Sequence, residues 1–298
     1  MNNKRFLSSL KPFFFILKLF GCFPYQINIV NHSHVLVKVS KIQVIYGFLL
    51  LIICASYTIT YHSEINSKLI IDILFEIHSD LMSILAMICF SANLYNIKEI
   101  CRIFEEIFWC LSYLNDLKFF GKIPIFTVGF IMLYFSTNFA SYLVYYLFYG
   151  NDNIVIYILD FMTYCTVYFV INSIVHQFCF LIIYFSKIIE ALNDEFRKLI
   201  FQSENINLLI IGENDVSKSV GDYIKICDLF ERVNNCYGVT VTLMMFLTFL
   251  GLLESLYQFI LDGNVLEFVV WFGYFAVFLC FILYSCEEAV NEVRNIED

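Results

Sequence analysis

Between Asp160 and Lys187 the chain carries twenty-six consecutive residues without an Asp, Glu, Lys or Arg. Uncharged runs of similar length lie between Lys41 and Glu64, Lys122 and Asp152, Arg232 and Glu254, and Glu267 and Glu287. A helix of about 20 apolar residues crosses a hydrocarbon core of roughly 30 Å, so each run is long enough to span. A sixth stretch, residues 69–95, has Asp72, Glu76 and Asp80 in its first half, but residues 81–97 are uncharged. It is read as a helix with a wet first half. Composition agrees. The 298 residues are 60% hydrophobic and 15% charged, with a mean hydropathy of +0.75. A soluble domain carries roughly 25% charged residues, and one of this length could not hide so much apolar side chain. A secreted disulfide scaffold, a nucleic-acid binder and a disordered chain are excluded on the same ground. A membrane β-barrel would show alternating segments of about ten residues, whereas these runs are continuously apolar. The expected class is all-α, a polytopic transmembrane bundle of six spans. Pro12, Pro24 and Pro124 interrupt none of them.

The basic residues sort by side. Lys4, Arg5, Lys11, Lys18, Lys38 and Lys41 precede the first span. Lys98, Arg102, Lys118 and Lys122 fall between the second and third. Lys187, Arg197, Lys198, Lys218, Lys225 and Arg232 fall between the fourth and fifth, and Arg294 follows the sixth. Only Lys68 lies in an opposite loop, so seventeen of the eighteen share one side. The positive-inside rule makes that side cytoplasmic, with the N-terminus inside. The outer loops, 61–68, 150–153 and 262–264, are short. Residues 1–41 are expected to form a cytoplasmic segment with an interfacial helix, its lysines reaching the headgroups of membrane lipid. Residues 42–186 then hold spans one to four, and residues 187–298 hold a long cytoplasmic loop and spans five and six.

Eleven cysteines are present, none in an outer loop where oxidation is favoured, and no CxxC pair or zinc-spaced cluster occurs. They read as small buried hydrophobes. No phosphate loop, nucleophile elbow or zincin motif is legible, so neither catalysis nor a cofactor is expected.

Ionisable residues at membrane depth are costly and mark functional sites. Asp72, Glu76 and Asp80 stand at i, i+4 and i+8, on one face of the second helix. That stripe either faces an outward-open cavity or is solvated because the span begins later. Asp160 sits at the same depth in the fourth span. His176 and Gln177 lie deeper in the fourth span, and Glu254 lies in the outer half of the fifth. Aromatic residues crowd the same level: Tyr142 and Tyr145 in the third span, Tyr164 in the fourth, Trp271 and Tyr274 in the sixth. They form either an interfacial belt or the lining of a small-molecule pocket. Acidic polar groups would suit amines, other cations or hydroxyl-rich ligands.

Three features resemble the insect gustatory receptor family, within the insect seven-helix chemoreceptor superfamily. These are LKPFFFILKLFGCFPYQI, ending its apolar run in Gly-x-x-Pro; the long stretch 223–257; and Val233-Asn234-Asn235-Cys236-Tyr237-Gly238, similar to an Asn-x-x-aromatic-Gly turn. The inside N-terminus matches the family's inverted topology. The family's mark in its seventh helix, Thr-Tyr followed by five residues and Gln-Phe, is missing, and Thr163-Tyr164 is not followed by Gln-Phe. The chain therefore reads as a member lacking the seventh helix. The resemblance implies a ligand-gated cation channel subunit that detects a small-molecule tastant. It would assemble as a homo- or hetero-tetramer with related receptor subunits. Its pocket would lie among the outer halves of spans two, three, four and six, with Asp72 and Glu76 bonding the ligand and Tyr145, Tyr164 and Trp271 packing on it. A secondary transporter using the acidic stripe and a non-conducting receptor fragment are the competing readings.

Overall fold

The computed structural model describes residues 14–15, 17–19, 21, 24–29, 35–64, 70–113, 139, 143, 154–205, 213–263 and 265–294. Among them, strands β1 (Tyr25–Ile29) and β2 (Val35–Val39) precede six helices: α1 (Lys41–Glu64), α2 (Ile70–Tyr95), α3 (Ile97–Tyr113), α4 (Ile154–Asn205), α5 (Glu213–Asp262) and α6 (Val265–Arg294).

The central element is α4. A helix that is apolar on every side has no face for water and takes the middle of a bundle. Almost all of its spanning length is buried, whereas α1 and α6 leave most of theirs exposed. Helices α1, α2, α5 and α6 surround it. Of its buried polar side chains, Thr166 Oγ1 donates to the Met162 carbonyl at 2.7 Å within the helix, whereas Asn172, Ser186 and Asn193 bond to α6 and Gln177 to α5.

At 1.5 Å per residue, the 52 residues of α4 and the 50 of α5 make rods of about 78 and about 75 Å. Both far outrun an apolar slab of roughly 30 Å. The stretch expected as a long loop after Lys187 is instead mostly helix. The charges that end the apolar run mark where the helix leaves lipid, and they bond between helices there. Lys187 Nζ lies 2.7 Å from Glu288 and 2.9 Å from Glu190, and Asn193 Nδ2 donates to the Glu292 carbonyl.

Residues 98–113, also expected as loop, form α3. The chain turns at Asn96, leaving the two helices 66° apart, and Asn96 Nδ2 donates to the Cys236 carbonyl of α5. Ile100, Ile103, Phe104 and Ile107 recur at helical spacing and are buried, while Lys98 and Arg102 are exposed. That apolar face lies on β2 and α5.

The β-hairpin departs from an all-α chain. Tyr25 pairs with Val39 and Ile29 with Val35 in an antiparallel register. The β-rich strings YQINI and VLVKV favour this, and Tyr25 and Val37 turn inward. Tyr25 is enclosed beside Phe104, and burial pushes its phenol up. Glu105 Oε1 accepts the Val37 N–H at 2.8 Å. Of the N-terminal segment expected to hold an interfacial helix, residues 14, 15 and 17–19 are helical. Gly21, at φ 71, lies on Gly47 of α1, where a Cβ would meet the Gly21 carbonyl at 2.7 Å and Phe90 at 2.8 Å.

Among the described residues four helices are long and apolar enough to cross a membrane, or five if α2 and α3 count as one bent span. The expected third span, residues 123–151, lies outside the described residues apart from positions 139 and 143. Every cysteine among the described residues is a free thiol.

Candidate functional site, an aromatic and polar hub between three helices

The hub sits at the end of the bundle opposite the hairpin, where α4 begins and the α5–α6 turn closes. Gly263, at φ 66, makes that turn so short that α6 returns directly alongside α5. Gly251 of α5 lets the Phe275 ring come so close that a Cβ would meet it at 2.6 Å.

On α4, Tyr164 stacks on Tyr168 with ring centroids 4.2 Å apart, and their hydroxyls are in hydrogen-bonding reach. Tyr164 also meets the Trp271 ring of α6 edge-on at 5.7 Å. Trp271 stands 6.3 Å from Tyr274 and stacks over Phe275 at 6.1 Å. Asn172 donates its side-chain N–H to the Tyr274 hydroxyl. From α5, Glu254 lies within electrostatic reach of Tyr168. One level deeper, His176 stacks on Phe281 at 5.7 Å, and the Tyr237 hydroxyl donates to Gln177 Oε1 at 3.5 Å.

Three of the expected site residues therefore converge: Tyr164, Trp271 and Tyr274. Asp80 is on α2 and half-buried. Asp72 and Glu76 also lie on α2, and Asp160 lies one turn before Tyr164 on α4, but their side chains fall outside the described residues. Tyr142 and Tyr145 fall wholly outside them. The sequence reading missed Tyr168 and Asn172. The signal was there: residues 160, 164, 168, 172 and 176 read Asp, Tyr, Tyr, Asn, His, a polar and aromatic stripe at a spacing of four in which neighbours lie one turn apart and each step advances about 40° around the helix.

Aromatic faces with a few hydroxyl, amide and carboxylate groups can hold a small molecule by stacking and hydrogen bonds. Among the described residues no group of His, Cys, Asp and Glu could hold a metal ion.

The chain's likeness to known proteins agrees with this architecture. The solved structure of the insect olfactory receptor OR5 from Machilis hrabei superposes with a TM-score of 0.66 at 16% identity, covering 97% of this chain and 81% of that one. At that identity the likeness establishes the fold. A search of curated proteins finds no match. The description of the 7tm chemosensory receptor family matches residues 10–298, and the chain belongs to that family of receptors.

Proposed function

We propose that this chain is a contact chemoreceptor of the gustatory type, a subunit of a ligand-gated cation channel that assembles as a tetramer with itself or related subunits. The observation that supports this most is the meeting of Tyr164, Trp271 and Tyr274 with Asn172 at one end of the bundle, with Glu254 in electrostatic reach of Tyr168. In this reading the N-terminus is cytoplasmic, as the seventeen one-sided Lys and Arg favour, so the hub faces the exterior. Tyr164, Trp271 and Tyr274 form the wall of the ligand site. Asp72, Glu76, Asp80, Tyr142, Tyr145 and Asp160 supply the rest of its lining.

A wall with acidic and hydroxyl groups favours amines and polyols over carboxylates. The purified chain should therefore gain thermal stability with at least one compound from a panel of amines and polyols, and with none of the matched carboxylates. A ligand at about 100 times its Kd adds about 2.7 kcal/mol. Trp271→Ala should abolish the gain. No gain from any compound, or a gain that survives in Trp271→Ala, would reject the reading.

A further inference from the structure

The protein is acidic, with a net charge of −9, yet its first 63 residues contain six Lys and Arg and not one Asp or Glu. The remaining 235 carry twelve basic and twenty-seven acidic residues. The positive-inside rule asks for lysines on one side but does not ask for acidic residues to be missing, because they contribute little to orientation. At the same end of the bundle, Arg232 pairs with Glu99 and Glu106, Lys187 with Glu190 and Glu288, and Lys225 with Asp222. Lys18, Lys38 and Lys41 have no carboxylate partner among the described residues. The nearby Glu105 is engaged on the Val37 N–H.

These lysines border an uncovered apolar surface. Lys41 opens the apolar span of α1 and so sits at headgroup level. Ile42, Ile45 and Leu49 share an exposed face of that helix at i, i+3 and i+7, with Ile42 79% exposed. The Tyr46 hydroxyl donates to the Leu19 carbonyl at 2.8 Å, and Gly21 lies on Gly47. Both contacts pin the helical residues 14, 15 and 17–19 about 7.5 Å along α1 from Lys41. Phe15, 69% exposed, and Leu19, 55% exposed, are thereby held at the depth where an interfacial helix buries its apolar face.

We propose that this foot of α1 is a docking surface for anionic phospholipid, with Lys18, Lys38 and Lys41 holding headgroup phosphates while Phe15 and Leu19 lie among the acyl chains. Charge complementarity selects the occupant. An unpaired basic rim on an apolar face fits a negatively charged leaflet, where each lysine adds about fivefold to binding.

The test uses the full chain in nanodiscs of equal phosphatidylcholine and phosphatidylserine, released into a mass spectrometer under native conditions. Phosphatidylserine should be retained several-fold over phosphatidylcholine. The preference should be lost in K18Q/K38Q/K41Q, kept in K18R/K38R/K41R, and kept in K198Q/K225Q, which neutralises lysines on the long helical extensions. Equal retention of the two lipids by the parent would overturn the proposal. So would a preference that persists in the triple glutamine variant, or a second copy of the chain on this surface regardless of lipid charge.

Discussion

Arg232 of α5 places its Nη1 3.0 Å from both carboxylate oxygens of Glu106 on α3. The same guanidinium binds Glu99 through Nε, and Asp228 lies 3.6 Å away, one turn back on α5. Glu99 and Glu106 are seven residues apart, so both project from one side of α3. The short helix after the Asn96 turn is therefore clamped to α5 by charge as well as by its apolar face. Through Glu105 and Val37 the clamp extends to the hairpin.

Removing the clamp should loosen this end of the molecule. Arg232→Gln leaves two half-exposed carboxylates facing each other and should cost about 1–2 kcal/mol, or about 2–8 °C in melting temperature. Arg232→Lys should recover less than half of that, because an ammonium has no fork to match two carboxylates. Thermal unfolding of the detergent-solubilised chain checks both. Equal stability of all three proteins would mean that the apolar face of α3 alone holds it.

Glycines at two kinds of position should respond oppositely. Gly47→Ala drives a Cβ into the Gly21 carbonyl and the Phe90 ring, and should destabilise by about 1–3 kcal/mol. Gly221 and Gly273 lie within helices, and a Cβ at either meets nothing within 4 Å. Alanine there should stabilise by up to about 1 kcal/mol. Melting temperatures of the three single variants decide this, and a neutral Gly47→Ala would contradict the close approach of the N-terminal segment to α1.

The hydrogen bond between Asn172 and Tyr274 should be costly to halve. Tyr274→Phe strands the Asn172 amide in an apolar interior, at about 1–3 kcal/mol. Adding Asn172→Leu should restore part of the loss by removing the stranded group. A double-mutant cycle on unfolding gives the coupling, and strict additivity would mean the two side chains act independently.

Much of the architecture was legible because burial in lipid writes itself as the absence of charge. The runs 42–63, 161–186, 233–253 and 268–286 all lie within observed helices, as does the acid-bearing stretch 70–80. Where the helices leave lipid the same criterion fails. Lys187 and Arg232 were read as loop boundaries, yet both sit inside continuous helices whose charges pair across elements. Helix α3 was overlooked because its apolar face is only part of its circumference. The hairpin was overlooked because YQINI and VLVKV are too short to stand out beside long apolar runs. In the hub, Tyr164, Trp271 and Tyr274 were found from depth alone. Tyr168 and Asn172 were not, because a tyrosine and an asparagine inside an uncharged run look like ordinary packing until their spacing of four is followed.

The account depends most on which side of the membrane holds the hairpin and which holds the hub. An epitope tag before Met1 and another within residues 262–264 test this in one experiment, by antibody staining of intact and permeabilised cells. The N-terminal tag should stain only after permeabilisation, and the tag in the α5–α6 turn should stain intact cells. The reverse pattern would put the hub inside the cell and contradict both the topology and the proposed ligand site.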